Sequence, residues 1–149
     1  MKEEKPKLLV VDDEPDQCIS IKNYFSRRNF QVFTAESGEE ALTLIKENKP
    51  DLVLLDMKLS GGMDGKGVLQ ALRRHDKKTK VAVVTGDILS EEKTREIIDL
   101  GIVELVNKPV VFEELDKIIR KVLEDSYPKA IRFEEIKPKE DSIDVSLRR

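Results

Sequence analysis

The sequence predicts an α/β fold in which a doubly wound, five-stranded parallel sheet carries helices on both faces. Short apolar runs, such as Leu-Val-Leu-Leu at residues 52–55, recur five times along the chain, and strands buried on both faces of a parallel sheet have this composition. A segment with apolar residues at helical spacing follows each run, so strand and helix alternate. Right-handed crossovers between parallel strands then place the helices on both sides of the sheet.

Length and composition fit one domain with a single core. The chain has 149 residues, 39% of them hydrophobic and 38% charged, with a net charge of -3, so a basic face for nucleic acid is not expected. Cys18 is the only cysteine, which excludes an intramolecular disulfide and a cysteine-based zinc site. No apolar run approaches membrane length and residues 1–7 lack a signal-peptide pattern, so we expect a cytoplasmic protein that binds neither membrane nor, by itself, nucleic acid.

The strands are predicted from the apolar runs and the helices from three- and four-residue spacing between them. The predicted strands cover residues 7–13, 30–34, 51–55, 81–84 and 102–106. The predicted helices cover residues 16–27, a segment from Ser37 to just before Pro50, a segment around residues 68–72 that ends near His75, residues 90–100 and residues 111–124. Ser37 followed by Glu40 is a capping-box signature, and Ile97 and Ile98 are expected to face inward.

The last part of the sequence differs from the rest, which predicts a domain at residues 1–125 and a tail at residues 126–149. The tail is rich in charge, and residues 131–133 and 143–147 alternate between apolar and polar side chains. A hairpin and a solvated, partly disordered segment are equally consistent with this pattern. In either form the tail is too short for a DNA-binding output domain with its own core.

Polar residues follow four of the predicted strands where each strand ends. Asp12 and Asp13 end the first strand, Asp56 follows the third, Thr85 the fourth and Lys108 the fifth. These residues should converge, because the carboxyl ends of parallel strands share one edge of the sheet. Three adjacent carboxylates repel one another unless a cation lies between them, and Mg²⁺ is the expected cation. We therefore predict that Asp56 is a nucleophile for a phosphoryl group, with Lys108 and Thr85 contacting the phosphoryl oxygens.

Together these motifs resemble the receiver domain of two-component response regulators over residues 7–124. The motifs that carry the resemblance are Val-Val-Asp-Asp at 10–13, Leu-Leu-Asp at 54–56, Val-Thr-Gly at 84–86 and Asn-Lys-Pro at 107–109. The resemblance implies a flavodoxin-like sheet with strand order 2-1-3-4-5. It also implies that the phosphoryl group comes from a phosphohistidine on a histidine kinase or phosphotransfer protein.

The resemblance further implies a set of metal ligands and one unusual peptide bond. Asp13, Asp56 and the backbone carbonyl of Lys58 would ligate Mg²⁺, and Asp12 would reach the ion more indirectly. The bond between Lys108 and Pro109 would be cis.

Three features depart from the usual receiver pattern. Ser-Gly-Gly at residues 60–62 replaces the usual proline-containing loop and lengthens it by one residue. Leu105 occupies the switch position, where many receivers carry an aromatic residue that rotates on phosphorylation. Lys58 and Asp87 each lie two residues after a site residue, and we hypothesise that they approach each other over the site and modulate the lifetime of the phosphoryl group.

The function predicted from these residues is a phosphorylation-dependent signalling switch that acts by protein contact and is not an enzyme. The sequence identifies no downstream protein and leaves open whether the chain forms a homodimer on phosphorylation. One alternative is a degenerate receiver that only binds partners, which is disfavoured because all the acidic, hydroxyl and lysine positions are filled. Another is an aspartate-nucleophile phosphatase of the haloacid dehalogenase type, which would need Asp-x-Asp on the first strand, whereas Asp56 lies on the third and Lys58 follows it in place of a second aspartate.

Overall fold

The structure is a computed structural model that describes residues 5–127. The two alternating segments of the predicted tail, residues 131–133 and 143–147, lie outside this range. Within it, strands and helices alternate along the chain: β1 Lys7–Val11, α1 Pro15–Ser26, β2 Gln31–Ala35, α2 Gly38–Asn48, β3 Leu52–Asp56, α3 Gly65–His75, β4 Lys80–Thr85, α4 Glu91–Asp99, β5 Glu104–Asn107 and α5 Phe112–Leu123.

The five strands form one parallel sheet in the order β2-β1-β3-β4-β5, which confirms the predicted fold class and strand order. In register, Val11 pairs with Leu55, and Asp56 pairs with Val84 on the next strand. Thr85 pairs in turn with Asn107, the residue before Lys108. The register therefore brings the ends of β1, β3, β4 and β5 to the same edge of the sheet.

Most predicted boundaries are within one or two residues of those in the structure. The largest differences are two residues, at the end of β1 and at the start of β5, which begins at Glu104 and not at residue 102. β1 ends at Val11, so Asp12 lies in the following loop, where its amide donates to the carbonyl of Ala35 at 3.0 Å. β3 and β4, in contrast, each extend one residue further than predicted and include Asp56 and Thr85. A strand ends where its backbone pairing with a neighbouring strand ends, and the apolar pattern of the sequence does not predict this point.

Two apolar layers cover the sheet, one on each face. On one face, Phe25 of α1 and Leu115 and Ile119 of α5 pack with alternate strand residues such as Leu54. On the other face, residues of α2, α3 and α4 pack against the intervening strand residues, which include Leu55. The period-two alternation of strand side chains thus divides the continuous apolar runs between two cores.

The prediction that Ile98 faces inward is wrong. Ile97 is 2% exposed, but Ile98 is 55% exposed. Successive helical residues point about 100° apart, so the short helix α4, which has Ile97 as its one buried residue, turns Ile98 toward solvent.

The predicted helix start at Ser37 is confirmed, with a small variation in the cap. The Ser37 hydroxyl accepts the Glu40 amide at 3.1 Å, as a capping box requires. The Glu40 carboxylate accepts the amide of Glu36 at 3.0 Å, one residue before the expected donor.

Among residues 5–127, none of the helices has the length and apolar character that crossing a membrane would need.

Candidate functional site

Lys108 joins two of the carboxylates predicted to form the site. Its Nζ donates to Asp56 Oδ2 at 2.9 Å and to Asp12 Oδ2 at 3.1 Å. The third carboxylate, Asp13, completes a cluster in which one ligand oxygen from each aspartate lies within 4.8 Å of the others. Residues from three separate strand ends therefore meet, as the parallel topology requires.

The core of this cluster is buried. Asp12 and Asp56 are each 4% exposed and Thr85 is 3% exposed, whereas the Lys108 side chain retains partial access to solvent. Buried carboxylates are costly unless they are paired or hydrogen-bonded. The ammonium group of Lys108 thus compensates two buried anions at once.

Burial and pairing shift the pKa values of Asp56 and Lys108. Burial raises the pKa of Asp56 and outweighs the opposing hydrogen bonds from Lys108 and from the amide of Lys58, while the nearby charge of Asp12 raises it further. For Lys108, burial lowers the pKa, but the hydrogen bonds to Asp56 and Asp12 outweigh burial and leave that pKa above its ordinary value. Lys108 therefore remains protonated at neutral pH and supplies a fixed positive charge.

A backbone amide holds each carboxylate of the cluster. The amide of Glu14 donates to Asp12 Oδ1 at 2.9 Å, and the amide of Lys58 donates to Asp56 Oδ1 at 3.0 Å. Both contacts span two residues, which is the spacing of an Asx turn and could be expected from sequence. Asp13 instead accepts the amide of Ser60, which is 47 residues away, at 3.0 Å. Nothing in the residue types signalled this third contact.

The donor set fits a hard divalent cation. Three carboxylates with ligand oxygens within 4.8 Å of one another offer the oxygen ligands that Mg²⁺ prefers, and the ion would relieve their mutual repulsion. Asp12 already accepts hydrogen bonds on both oxygens, from Glu14 and Lys108, whereas Asp13 accepts one bond on Oδ2 among the described residues. Asp56 likewise accepts on both oxygens, from Lys58 and Lys108, so Asp13 accepts the fewest hydrogen bonds of the three carboxylates.

Thr85 lies beside Asp56 at the end of the adjacent strand and is engaged with Asp87. Its hydroxyl accepts the amide of Asp87 at 3.1 Å and donates to the carbonyl of the same residue at 3.4 Å. The hydroxyl group therefore starts the turn that leads from β4 into α4.

Lys58 and Asp87 approach each other at the mouth of the site. Their charged groups lie 3.9 Å apart, and the side chains are 80% and 58% exposed. Both residues line an open cavity of about 580 Å³ that also includes Asp13, Asp56 and Lys108. The structure thus brings Lys58 and Asp87 together at the entrance to the cavity that contains Asp56.

Leu105 lies three residues before Lys108 in the chain, and Pro109 directly follows it. Leu105 is half-buried, pairs with Val83 and packs against the core layer under α2, α3 and α4. The Lys108–Pro109 peptide bond is cis.

Gly65 contributes to the site in a way that sequence reasoning missed. A β-carbon on Gly65 would lie 2.3 Å from the carbonyl oxygen of Asp56 and 2.6 Å from the α-carbon of Met57. The amide of Gly65 also donates to the carbonyl of Met57 at 3.0 Å. Only glycine fits where α3 begins against the backbone of Asp56.

The fold and this acidic edge define a response regulator receiver domain. The model of the family "Response regulator receiver domain" matches residues 8–120, and the chain belongs to this family. Receiver domains are phosphoacceptor signalling domains of two-component systems and bind Mg²⁺ in an acidic pocket.

Several known proteins are similar to the chain over most of its length. Sporulation initiation phosphotransferase F of Bacillus subtilis (strain 168) is 33% identical over 121 residues, which cover 78% of this chain and 93% of that protein. Probable transcriptional regulator ycf27 of Porphyridium aerugineum is 36% identical over 121 residues, which cover 80% of this chain but 49% of that protein. The chain thus spans about half the length of the second relative.

Solved receiver domains share the fold. The receiver domain of the Francisella response regulator 1452 has a TM-score of 0.74 and 28% identity, covering 81% of this chain and 98% of that one. The BeF3-activated N-terminal receiver domain of Klebsiella pneumoniae RstA has a TM-score of 0.70 and 26% identity, covering 78% and 97%.

Proposed function

We propose that Asp56 accepts a phosphoryl group from a phosphohistidine on a histidine kinase or phosphotransfer protein, and that the phosphorylated chain signals by contact with a downstream protein. The observation that carries this proposal is the pair of hydrogen bonds from Lys108 to Asp56 and Asp12 inside a cluster of three aspartates. The chain acts as a switch and not as an enzyme, because the phosphoryl group stays on Asp56 until water removes it.

The transfer is an in-line displacement at phosphorus. A carboxylate oxygen of Asp56 forms a bond to phosphorus as the bond from phosphorus to the imidazole nitrogen breaks, and the electron pair of that bond stays on the nitrogen. The product is an acyl phosphate. Lys108 contacts the phosphoryl oxygens, and the hydroxyl of Thr85 donates a hydrogen bond to one of them.

Asp13, Asp56 and the backbone carbonyl of Lys58 would hold Mg²⁺, with Asp12 acting on the ion more indirectly. The ion would neutralise negative charge on the phosphoryl oxygens.

We assign the lifetime of the phosphoryl group in part to Lys58 and Asp87. Their position at the mouth of the cavity places them beside the path of attacking water. Because both side chains are largely exposed, the pair should affect the rate of hydrolysis and leave the stability of the fold nearly unchanged.

The loop after β4 transmits the effect of phosphorylation to the surface that binds a partner. When Thr85 turns toward the phosphoryl group, it must give up its hydrogen bond to the carbonyl of Asp87, and the loop containing the fully exposed Ile88 shifts. Leu105 has no polar tip and is packed against the core, so it does not repeat the rotation of an aromatic switch residue. The surface near α4 and α5 then changes its affinity for a partner. A second copy of the chain is one candidate for this partner.

One experiment tests the central step. The full chain is incubated with Mg²⁺ and a small phosphodonor such as acetyl phosphate, and its intact mass is measured. A single phosphoryl adduct is expected, and Asp56→Asn should abolish it. If no adduct forms with the small donor or with a histidine kinase, the chain is a binding module and not a phosphorylated switch.

A further inference from the structure

The backbone amide of Ser60 connects the lengthened loop after β3 to the acidic cluster. It donates to Asp13 Oδ2 at 3.0 Å and joins two positions that are 47 residues apart. Ser60 is exposed and Asp13 is half-buried, so the hydrogen bond lies at the rim of the site.

This bond differs from the other amide contacts of the cluster. Asp12 and Asp56 each accept the amide of the residue two positions later in the chain, which is Glu14 for Asp12 and Lys58 for Asp56. Lys108 donates a hydrogen bond to both of these carboxylates as well. For Asp13, the amide of Ser60 is the single hydrogen-bond donor to the carboxylate within residues 5–127. The orientation of the Asp13 carboxylate therefore depends on the loop after β3.

We propose that the Ser60 amide positions Asp13 as a ligand of Mg²⁺, an inference that rests on the proposed function of the site. An ionised carboxylate has two oxygens with about four acceptor positions, so a donor on Oδ2 leaves Oδ1 able to ligate. Hydrogen bonds to a ligating carboxylate fix its direction, and losing one typically weakens metal binding by roughly 10- to 100-fold. Ser60 is a positioning residue, because it acts on the ion through Asp13.

Gly61 follows Ser60 in the loop. Its φ angle is +93°, in the region that favours glycine, and a β-carbon there would meet nothing within 4 Å. Glycine is thus favoured at this position by the backbone conformation and not by crowding.

The experiment compares Mg²⁺ binding by the unphosphorylated full chain and by two variants at Ser60. Ser60→Pro removes the amide hydrogen, and Ser60→Ala retains it while removing the hydroxyl. Mg²⁺ is titrated into the ¹⁵N-labelled chain, and the dissociation constant is read from amide chemical shifts. Because the hydrogen bond is at the rim, we expect Ser60→Pro to raise the dissociation constant roughly tenfold. Ser60→Ala should bind Mg²⁺ as the unaltered chain does.

The outcomes separate this inference from the proposed function. If the unaltered chain does not bind Mg²⁺, the proposed metal site itself is refuted. If the unaltered chain binds and Ser60→Pro binds equally well, the amide has no positioning role; tighter binding would mean that the amide competes with the ion. Should proline disturb signals far from the loop, the α-hydroxy acid counterpart of serine at residue 60 replaces the amide N–H by an ester oxygen. The same rise is then required.

Discussion

Gly65 lies so close to Asp56 that the start of α3 is in direct contact with the backbone of Asp56. A β-carbon on Gly65 would approach the Asp56 carbonyl to 2.3 Å. The backbone of Asp56 is therefore positioned by contact with the start of α3, and its carboxylate is positioned by the hydrogen bond from Lys108.

Gly65→Ala should lower both the stability of the fold and the rate of phosphorylation. The methyl group can be accommodated only by moving the backbone of Asp56, and overpacking of this kind costs about 1–3 kcal/mol in the free energy of unfolding. Urea unfolding and adduct formation with acetyl phosphate measure the two effects. Gly62→Ala is the matched control, because its β-carbon would meet only the end of the Glu39 side chain at 3.5 Å. Equal behaviour of the two variants would contradict the crowding at Gly65.

Asp87→Ala should change the rate at which the phosphoryl group is lost. The charged groups of Lys58 and Asp87 lie 3.9 Å apart at the mouth of the cavity, so removing the carboxylate alters the approach of water to Asp56. The decay of the adduct is followed by intact mass after the phosphodonor is removed. Asp99→Ala, at an exposed position at the end of α4, is the control and should decay as the unaltered chain does. An unchanged decay rate in Asp87→Ala would refute the modulating role of the pair.

Arg73→Met should destabilise the fold, although the residue is far from the site. The buried guanidinium of Arg73 donates to the carbonyls of Leu100 at 2.7 Å, Gly101 at 2.9 Å and Asp76 at 3.0 Å. Methionine keeps the apolar stem but leaves these carbonyls without their donor, which should cost about 2–3 kcal/mol in the free energy of unfolding. Arg74 on the same helix is exposed, and Arg74→Ala should change the free energy of unfolding by no more than about 0.5 kcal/mol. A small effect at Arg73 would show that water replaces the guanidinium.

The turn at Asp76 should make stability depend on pH in the acid range. The hydroxyl of Thr79 donates to Asp76 and is the main cause that lowers the pKa of this carboxyl, with further help from the amides of Thr79 and Lys78. A carboxyl whose pKa is lowered by folding stabilises the fold above its unfolded pKa, and this contribution is lost as the pH falls through the folded value.

Thr79→Val removes the hydroxyl and should therefore reduce stability above about pH 4, the ordinary range for an aspartate. The difference from the unaltered chain should shrink as the pH falls further. Urea unfolding at a series of pH values measures the difference, and NMR titration of the Asp76 carboxyl gives its pKa directly. A difference that grows toward low pH would contradict this sign.

The chemistry-bearing residues could be predicted from the sequence because topology alone brings them together. Once five apolar runs alternate with helices, Asp12, Asp13, Asp56, Thr85 and Lys108 must share one edge of the sheet.

Features set by loop conformation or by packing between helices could not be predicted in the same way. The hydrogen bond between Ser60 and Asp13 uses a backbone donor, which every residue except proline has, so residue type carries no signal. Arg73 is buried and donates to two carbonyls at the end of α4 and to one at the end of its own helix, whereas arginine on a helix is usually exposed. Ile97 and Ile98 are equally apolar, and the orientation of α4 about its axis determines that Ile97, and not Ile98, is buried in the core.

If Asp56 is phosphorylated as proposed, the two hydrogen bonds between Thr85 and Asp87 would link phosphorylation to partner binding by thermodynamic reciprocity. If a partner binds the loop after β4 only once Thr85 has released the carbonyl of Asp87, it favours the same state as the phosphoryl group does. The factor by which phosphorylation tightens partner binding must then equal the factor by which the partner favours the phosphorylated chain at equilibrium. Comparing the phosphorylated fraction at a fixed ratio of donor to product, with and without such a partner, measures this factor, and no change would exclude the link. The partner would thereby act as an input to the switch as well as a reader of its state.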